Sequence, residues 1–222
     1  MQLALFDLDH TLIPFDSGSV FTSFLIERGA LPPAFAEDYL GWCRQYAAGQ
    51  VDMVAMHRYT VGALAVHPPA RLQAWLDEFA AGLPARIPQD AHALLRMHRD
   101  AGHACLLVTA TSRLVSAPFA AALGFDAATE LLATEPQRDA AGRLTGEIDG
   151  APCFREHKVA RVGAWLAARG QGWDTPARSW FYSDSMNDLP LLEQVSDPVA
   201  VNADPRLAAL AAARGWPQRR IG

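Results

Sequence analysis

The chain has 222 residues and a formal net charge of −5, with half of its residues hydrophobic and 19% of them charged. This composition is typical of a folded globular chain and argues against disorder, and the mild acidity argues against a nucleic-acid-binding protein. No stretch of 18 or more apolar residues is present to span a membrane. The three cysteines form no Cys-x-x-Cys pair, so we expect reduced thiols and a cytoplasmic protein.

Short apolar runs alternate with helical patterns along most of the chain, beginning with a strand at residues 2–6 that ends at Asp7. Further strands are predicted at 103–109, 178–183 and 198–202, and helices at 87–101, 113–123, 155–169, 187–195 and 205–213. Residues 134–150 are polar and contain glycines, which predicts a β-hairpin or a loop. This alternation favours a doubly wound α/β fold, in which helices cover both faces of a mainly parallel sheet.

Residues 17–83, which we call the helical insert, interrupt this alternation because they contain several helical patterns and no convincing strand. Aromatic and leucine residues recur there at helical spacing, for example at Trp75 and Phe79. That spacing favours a hydrophobic core of the insert's own over a ligand-binding box. We therefore predict an all-helical unit at residues 16–83, placed after the first strand of an α/β core made of residues 1–15 and 84–222.

Polar residues follow three of the predicted strands, at the edge where an open parallel sheet binds its ligands. Asp7 and Asp9 leave the first strand on the same side, and their repulsion is relieved by a cation or by a retained proton. Thr109 opens a Thr-Ala-Thr-Ser turn that provides hydroxyl and backbone N–H groups for an anion. Asp184 and Asp188 bring further carboxylates to this edge, and such oxygen ligands select a hard cation such as Mg²⁺.

Lys158 is the only lysine in the chain, beside 18 arginines, and it lies at the start of a predicted helix. A compact ammonium suits a point-charge contact with a phosphoryl group, whereas composition alone also allows a surface lysine without a task. A hard cation, an anion seat and a lysine together indicate phosphoryl transfer, in which an aspartate can act as the nucleophile.

In their order along the chain, these motifs resemble those of the haloacid dehalogenase (HAD) superfamily. The segment DLDHT at 7–11 matches its D-x-D-x-T motif, VTATS at 108–112 resembles the second motif, Lys158 fits the third, and SDSMND at 183–188 resembles the fourth. The helical insert resembles the C1 cap of the phosphoserine-phosphatase-like branch, subfamily IB. The resemblance implies a Rossmann-like core and a Mg²⁺-dependent phosphatase that hydrolyses a small phosphorylated metabolite through an aspartyl-phosphate.

The resemblance also implies a role for each matching position. Asp7 would be the nucleophile and a Mg²⁺ ligand, and Asp9 the general acid/base, with a backbone carbonyl that also binds Mg²⁺. Thr109 and the N–H of Ala110 would hold the phosphoryl oxygens, and Lys158 would contact both Asp7 and the phosphoryl group. The other implied residues are the Mg²⁺ ligand Asp184, Asp188, which binds Mg²⁺ through water or orients the ligands, and the supporting Asn187.

Three further residues are candidates for substrate contacts, each with a simpler alternative. Arg155 stands where the family often has the glycine of Gly-Glu-x-Lys, and it is either a surface residue or a phosphate or substrate contact. Asp16 is either a helix N-cap or, by similarity to the family, the acid that grips a substrate amine. Arg58 belongs either to a solvated helix face or to a site for a substrate carboxylate. Phosphoserine, histidinol phosphate, phosphoethanolamine and phosphocholine are therefore all open as substrates.

Two other classes of function stay open. A phosphotransferase or mutase would use the same aspartyl-phosphate while excluding water, and would pass phosphate to an acceptor without matching phosphate release. A non-catalytic phosphate-binding protein would keep the site without turnover, and the intact set of acids argues against it. We expect no nucleic-acid partner and no membrane partner.

Overall fold

A six-stranded parallel sheet forms the centre of the protein in the computed structural model, which describes residues 1–222. The strand order is β3-β2-β1-β6-β7-β8. The strands of this sheet are β1 Gln2–Phe6, β2 Ala104–Ser112, β3 Leu131–Thr134, β6 Arg178–Ser183, β7 Asp197–Val201 and β8 Gln218–Arg219. A separate antiparallel hairpin consists of β4 Pro136–Arg138 and β5 Leu144–Ile148.

Nine helices accompany the strands. They are α1 Ser17–Glu27, α2 Phe35–Ala47, α3 Met53–Thr60, α4 Pro69–Ala81, α5 Gln89–Asp100, α6 Arg113–Ala122, α7 Glu156–Ala167, α8 Leu189–Gln194 and α9 Pro205–Arg214. None of these helices combines the length and the apolar character that crossing a lipid bilayer requires.

The first strand shows why the sheet is buried on both faces. Leu3 and Leu5 belong to one hydrophobic core, together with residues of α7, α8 and α9. Ala4 and Phe6 belong to a second core, which includes residues of α5, α6 and the helical insert. Alternate residues of a strand point to opposite faces, so a continuous apolar run is required where both faces are covered. The predicted doubly wound α/β fold is confirmed.

The predicted strands correspond to β1, β2, β6 and β7, and the polar stretch 134–150 forms the β4–β5 hairpin. Sequence reasoning missed the two edge strands β3 and β8. They contain four and two residues, respectively, which is too short for a periodic signal to develop. Neither strand carries one of the motif residues.

The helical insert contains α1 to α4 and no strand, as its sequence predicted. Its aromatic side chains pack closely, with ring centroids of Phe21 and Phe24 at 4.9 and 5.3 Å from that of Phe79. Phe79 also packs against Phe119 of α6, at 5.7 Å between centroids. The insert therefore shares one hydrophobic core with the sheet-covering helices, and the expectation of a core of its own is wrong. The division of the chain into two units at residues 16 and 83 stays a prediction.

Candidate active site

The carboxyl ends of three adjacent strands meet at one cavity of about 570 Å³. Asp7 follows β1, Thr109 lies near the end of β2, and Asp184 follows β6. Helices α1, α2 and α3 of the insert line the opposite side of the cavity. The order β2-β1-β6 is the reason that residues more than 170 positions apart in the sequence, such as Thr11 and Asp184, come into contact.

Lys158 lies between two carboxylates and is completely buried. Its Nζ donates hydrogen bonds of 2.8 Å to Asp7 Oδ1 and 2.8 Å to Asp188 Oδ2. Burial opposes the charge of Lys158, but Asp188 and Asp7 outweigh that effect and hold the pKa of the ammonium well above its usual value. Lys158 is therefore a permanent cation, and Ser183 donates a further hydrogen bond of 2.7 Å to the same oxygen of Asp188.

The negative charges of the carboxyl groups around Lys158 are unfavourable, because these groups lie close together and are removed from water. Burial raises the pKa of Asp7 to about 7, with Lys158 working against the rise and Asp188 and Asp9 adding to it. Burial also raises the pKa of Asp184 well above its usual value, and the charges of Asp7 and Asp188 add to that rise. Such a cluster gains stability when a cation joins it.

Asp9 is held in a fixed orientation beside this cluster. Its Oδ1 accepts a hydrogen bond of 2.5 Å from the backbone N–H of Ser17, and its Oδ2 accepts one of 2.7 Å from the hydroxyl of Thr111. Burial raises the pKa of Asp9 to about 6, and the neighbouring charge of Asp16 adds to the rise. A carboxyl that titrates near neutral pH is suited to both giving and taking a proton.

The predicted anion seat at residues 109–112 forms the last part of β2, which extends to Ser112, so the turn expected after Thr109 is strand in the structure. Thr109 is buried, and its hydroxyl accepts a hydrogen bond of 3.2 Å from the backbone N–H of Thr111. Thr134 donates a hydrogen bond of 2.7 Å to the carbonyl of Ala110, which fixes that peptide unit. The hydroxyl of Ser112, also in the cavity wall, is buried without a partner in the protein. A free hydroxyl between the end of β2 and the start of α6 suits a phosphoryl oxygen.

The oxygen atoms of this site fit Mg²⁺ in kind and number. Asp188 Oδ1 is buried with no hydrogen-bond partner, and the hydroxyl of Thr11 contacts both Asp7 Oδ2, at 3.5 Å, and Asp184 Oδ1, at 3.3 Å. No three carboxylate, imidazole or thiolate side chains form a metal cage by themselves. Mg²⁺ commonly binds through one or two carboxylates and keeps its other positions for water and phosphate, so the carboxylates of Asp7 and Asp184 match its preference.

Asp16 lies in the cavity wall and is also the N-cap of α1. Its Oδ1 accepts hydrogen bonds of 2.6 Å from the N–H of Ser19 and 2.9 Å from the hydroxyl of Tyr39. A Cβ atom at Gly18 would collide with that hydroxyl, so the contact requires a glycine there. Both alternatives for Asp16, a helix cap and a substrate contact, are compatible with its position.

Two other expected substrate contacts do not reach the cavity. Arg58 forms an exposed ion pair with Glu147 of β5, with its Nε at 2.8 and 2.9 Å from the two carboxylate oxygens. Arg155 directs its guanidinium to the end of α2, where it donates a hydrogen bond of 2.6 Å to the carbonyl of Gly49. Asn187 also faces α2, because its Nδ2 donates to the carbonyl of Tyr46 at 2.9 Å.

The cavity also contains residues that sequence reasoning missed. Tyr39 and His57 of the insert are buried in the cavity wall, and His57 Nε2 has no hydrogen-bond partner in the protein. Both residues occupy positions that look like the buried face of a helix, so nothing in the sequence set them apart from core residues. Thr11 was available in the sequence as the last residue of the D-x-D-x-T motif. No arginine or lysine lines the cavity.

A parallel sheet that brings a buried acid pair, an anion seat and a buried lysine to one edge has the parts of a phosphoryl-transfer enzyme. The chain belongs to the family of haloacid dehalogenase-like hydrolases, which matches residues 4–193. It is 35% identical over 219 residues to a histidinol-phosphatase of Neisseria meningitidis serogroup C, covering 97% of each chain. It is 31% identical over 221 residues to a phosphoserine phosphatase of Mycobacterium tuberculosis, covering 96% of this chain and 68% of the relative.

A solved structure supports the same placement of the fold. A protein of unknown function from Bordetella pertussis Tohama I has a TM-score of 0.89 and 43% sequence identity, covering 98% of this chain and 97% of that chain. The predicted membership of the family, in its phosphoserine-phosphatase-like branch, is confirmed, and the chain is a phosphatase.

Proposed function

We propose that this protein hydrolyses a phosphomonoester through an aspartyl-phosphate formed on Asp7, in a Mg²⁺-dependent reaction. Asp7 attacks the phosphorus atom while Asp9 protonates the departing oxygen of the alcohol. The Asp9 carboxylate then takes a proton from a water molecule, which attacks the phosphorus, releases inorganic phosphate and restores Asp7. The fixed orientation of Asp9 and its pKa of about 6 support this double role.

The surrounding residues would stabilise the phosphoryl group during both steps. Thr109 and the N–H of Ala110 would donate hydrogen bonds to its oxygens near the end of β2, and Lys158 would neutralise negative charge there while keeping Asp7 oriented. Asp184 and Asp188, with Asp7 and the carbonyl of Asp9, form the proposed Mg²⁺ site. When bound, Mg²⁺ would offset the repulsion between the carboxylates and the phosphoryl oxygens.

We propose that the substrate carries an amine and lacks a carboxylate. The observation behind this is the charge of the cavity, whose wall contains Asp16 and further acids but no arginine or lysine. An ammonium would pair with Asp16, whereas the carboxylate of phosphoserine would be removed from water with no cation to pair with. Histidinol phosphate is the first candidate, because a relative named histidinol-phosphatase is similar over nearly its full length. Phosphoethanolamine belongs to the same chemical class.

The helical insert, we propose, acts as a cap that closes over the substrate and keeps bulk water away from the aspartyl-phosphate. Its helices α1 to α3 provide one side of the cavity, while residues 1–15 and 84–222 provide the strand ends. The helical insert would thus bind the amine of the substrate, and the strand ends would bind its phosphoryl group.

The test is a screen of the purified chain against phosphorylated metabolites with and without Mg²⁺, measuring release of inorganic phosphate. We expect Mg²⁺-dependent release that is fastest with an amine-bearing, carboxylate-free ester. Asp7→Asn is expected to abolish release, while Asp100→Asn, at an exposed position on α5, keeps the parent rate. Transfer of phosphate to an added alcohol without matching release of phosphate would contradict hydrolysis. A preference for phosphoserine would contradict the substrate class.

A second test addresses the acid role of Asp9. Asp9→Asn is expected to slow hydrolysis of alkyl phosphates much more than that of p-nitrophenyl phosphate, because p-nitrophenolate leaves without needing a proton. Equal loss for the two kinds of ester would remove Asp9 from the step in which the alcohol leaves.

A further inference from the structure

Arg155 has a backbone conformation that favours glycine. Its φ is 52° and its ψ is −126°, in a region that residues with a Cβ atom rarely adopt. The family motif often has glycine at this position, as noted above, so an arginine here is held against the preference of its own backbone. Strain of this kind persists only where the surroundings of the residue stabilise it.

The side chain of Arg155 makes the contacts that offset this strain. Its Nη2 donates a hydrogen bond of 2.6 Å to the carbonyl of Gly49, just beyond α2, and lies 3.5 Å from Asn187 Oδ1. Its guanidinium carbon is 4.8 Å from the ring centroid of Phe154. Gly49 has a φ of 72°, and a Cβ atom there would lie 3.3 Å from the same Nη2. Both backbones are therefore shaped around this contact.

Two other side chains bind the same end of α2. Asn187 Nδ2 donates to the carbonyl of Tyr46 at 2.9 Å, and Arg206 Nη2 donates to the carbonyl of Ala47 at 3.0 Å. The last carbonyls of a helix lack partners within the helix, and cations are favoured beside them. We call Arg155, Asn187 and Arg206 together the α2 clamp, because they all lie outside the helical insert and grip one of its helix ends.

The α2 clamp connects the wall of the cavity to residues 183–188, which carry Asp184 and Asp188. Helix α2 carries Tyr39 and Tyr46, which line the cavity, and Asn187 precedes Asp188, the partner of Lys158. A displacement of α2 would therefore change the shape of the substrate cavity and release Asn187 from its contact.

We propose that Arg155 is a positioning residue that holds α2 in the closed position over the active site. This inference rests on the proposed function for its catalytic consequence, but not for the contact itself. Loss of the guanidinium would shift the insert towards open conformations, and the apparent affinity for substrate falls in proportion to the closed fraction. The residue would thus act on substrate affinity through α2 without touching the substrate.

The test compares Arg155→Gly, which removes the side chain and relieves the backbone, with Arg155→Met, which removes the charge and keeps the strain. The control is Arg161→Met, on α7, whose Nη2 donates 2.7 Å to the carbonyl of Ala151, outside the insert. Amide hydrogen exchange of the full chain, without ligand, is measured for the end of α2. Both Arg155 variants are expected to raise that exchange by up to about tenfold, because the loss of one charge-assisted hydrogen bond shifts the equilibrium between closed and open conformations about tenfold. Arg161→Met is expected to leave the exchange unchanged.

Kinetics with the best phosphate ester then decide the catalytic consequence. We expect KM to rise in both Arg155 variants by a factor whose product with the rise in exchange is about ten, with kcat within about threefold of the parent value. Arg155→Gly is also expected to melt no lower than Arg155→Met, because glycine relieves the strain. Unchanged exchange at α2 would overturn the clamp, and faster exchange with an unchanged KM would overturn its role in catalysis. A parent chain without phosphatase activity would contradict the proposed function and leave the exchange result to decide the clamp.

Discussion

Replacing Asp16 by asparagine separates the two roles that this carboxylate can have. As the N-cap of α1 it accepts hydrogen bonds from the N–H of Ser19 and the hydroxyl of Tyr39 through one oxygen, which the amide oxygen of asparagine can also do. Asparagine and aspartate are about equal as N-caps, so the free energy of unfolding should change by less than about 0.5 kcal/mol. What the substitution removes is the negative charge in the cavity wall.

The expected kinetic effect follows from that charge. A hydrogen bond to a charged group contributes about 1.5–3 kcal/mol, which corresponds to a loss of about 10- to 150-fold in kcat/KM for an amine-bearing ester. p-Nitrophenyl phosphate has no amine and should keep its kcat/KM within about threefold, which is less than 1 kcal/mol. Because Asp16 also raises the pKa of Asp9, a change in pH profile common to both substrates is expected. The ratio of the two kcat/KM values therefore measures amine recognition, because the change in pH profile that is common to both substrates cancels in it.

Asp52→Asn is the matched control. Asp52 is the N-cap of α3, where its Oδ1 accepts hydrogen bonds of 3.0 Å from the N–H groups of Val54 and Ala55, and it does not line the cavity. This variant should leave both substrates unaffected. An equal loss for the amine ester and p-nitrophenyl phosphate in Asp16→Asn would refute recognition of the amine and leave Asp16 as a helix cap alone.

Three further changes test other parts of the structure. Lys158→Arg should lower kcat for p-nitrophenyl phosphate at least about 100-fold, because a planar guanidinium does not fit a fully enclosed site built for a compact ammonium; the parent rate would contradict this. Burial, together with the neighbouring His103, lowers the pKa of His98 to about 4. Between pH 6.5 and pH 4, His98 is therefore protonated in the unfolded chain and neutral in the folded chain. His98 should therefore lower stability by about 2 kcal/mol between pH 7 and pH 5, while Asp7 and Asp9, with raised pKa values, take up protons in the folded chain and oppose that fall. The measurement is the difference between the parent chain and His98→Gln in urea titrations, and an equal pH dependence of the two would exclude a contribution of His98. Gly18→Ala should lower stability by about 1–3 kcal/mol through its clash with Tyr39; adding Tyr39→Phe should recover part of that loss, and no recovery would place the strain elsewhere.

The residues that we propose for catalysis could be predicted to lie close together because of the sheet topology. Asp7, Thr109 and Asp184 each stand at or near the end of a long apolar run, and parallel strands bring such ends to one edge of the sheet. Recognising the strands and their order along the chain was therefore enough to predict that these residues meet. The same logic could not find β3 or β8, whose few residues carry no periodic pattern.

The contacts between the insert and the rest of the chain had no comparable signal. Arg155 was identified as unusual, and the two roles expected for it were a surface residue and a substrate contact. Neither role includes its observed hydrogen bond to the carbonyl of Gly49, which lies 106 positions away in the sequence. A backbone carbonyl has no side-chain identity that a sequence could reveal as a partner. Tyr39 and His57 were hidden for a different reason, since a helix face that lines a cavity has the same apolar spacing as one that lines a core.

The position of the single lysine, beside 18 arginines, has a physical explanation in the structure. Arginines form exposed pairs with carboxylates, such as Arg58 with Glu147 and Arg214 with Glu193, and such surface pairs contribute little to stability. The lysine is completely buried between two carboxylates, each at 2.8 Å. A buried cation is stabilised only when its hydrogen-bond partners surround it closely. The ammonium group of lysine carries its three N–H donors on one nitrogen atom and needs less space for such contacts than the planar guanidinium group of arginine. The single lysine therefore occupies a place where only a compact cation fits between two carboxylates. The net charge of −5 gives no indication of this buried site.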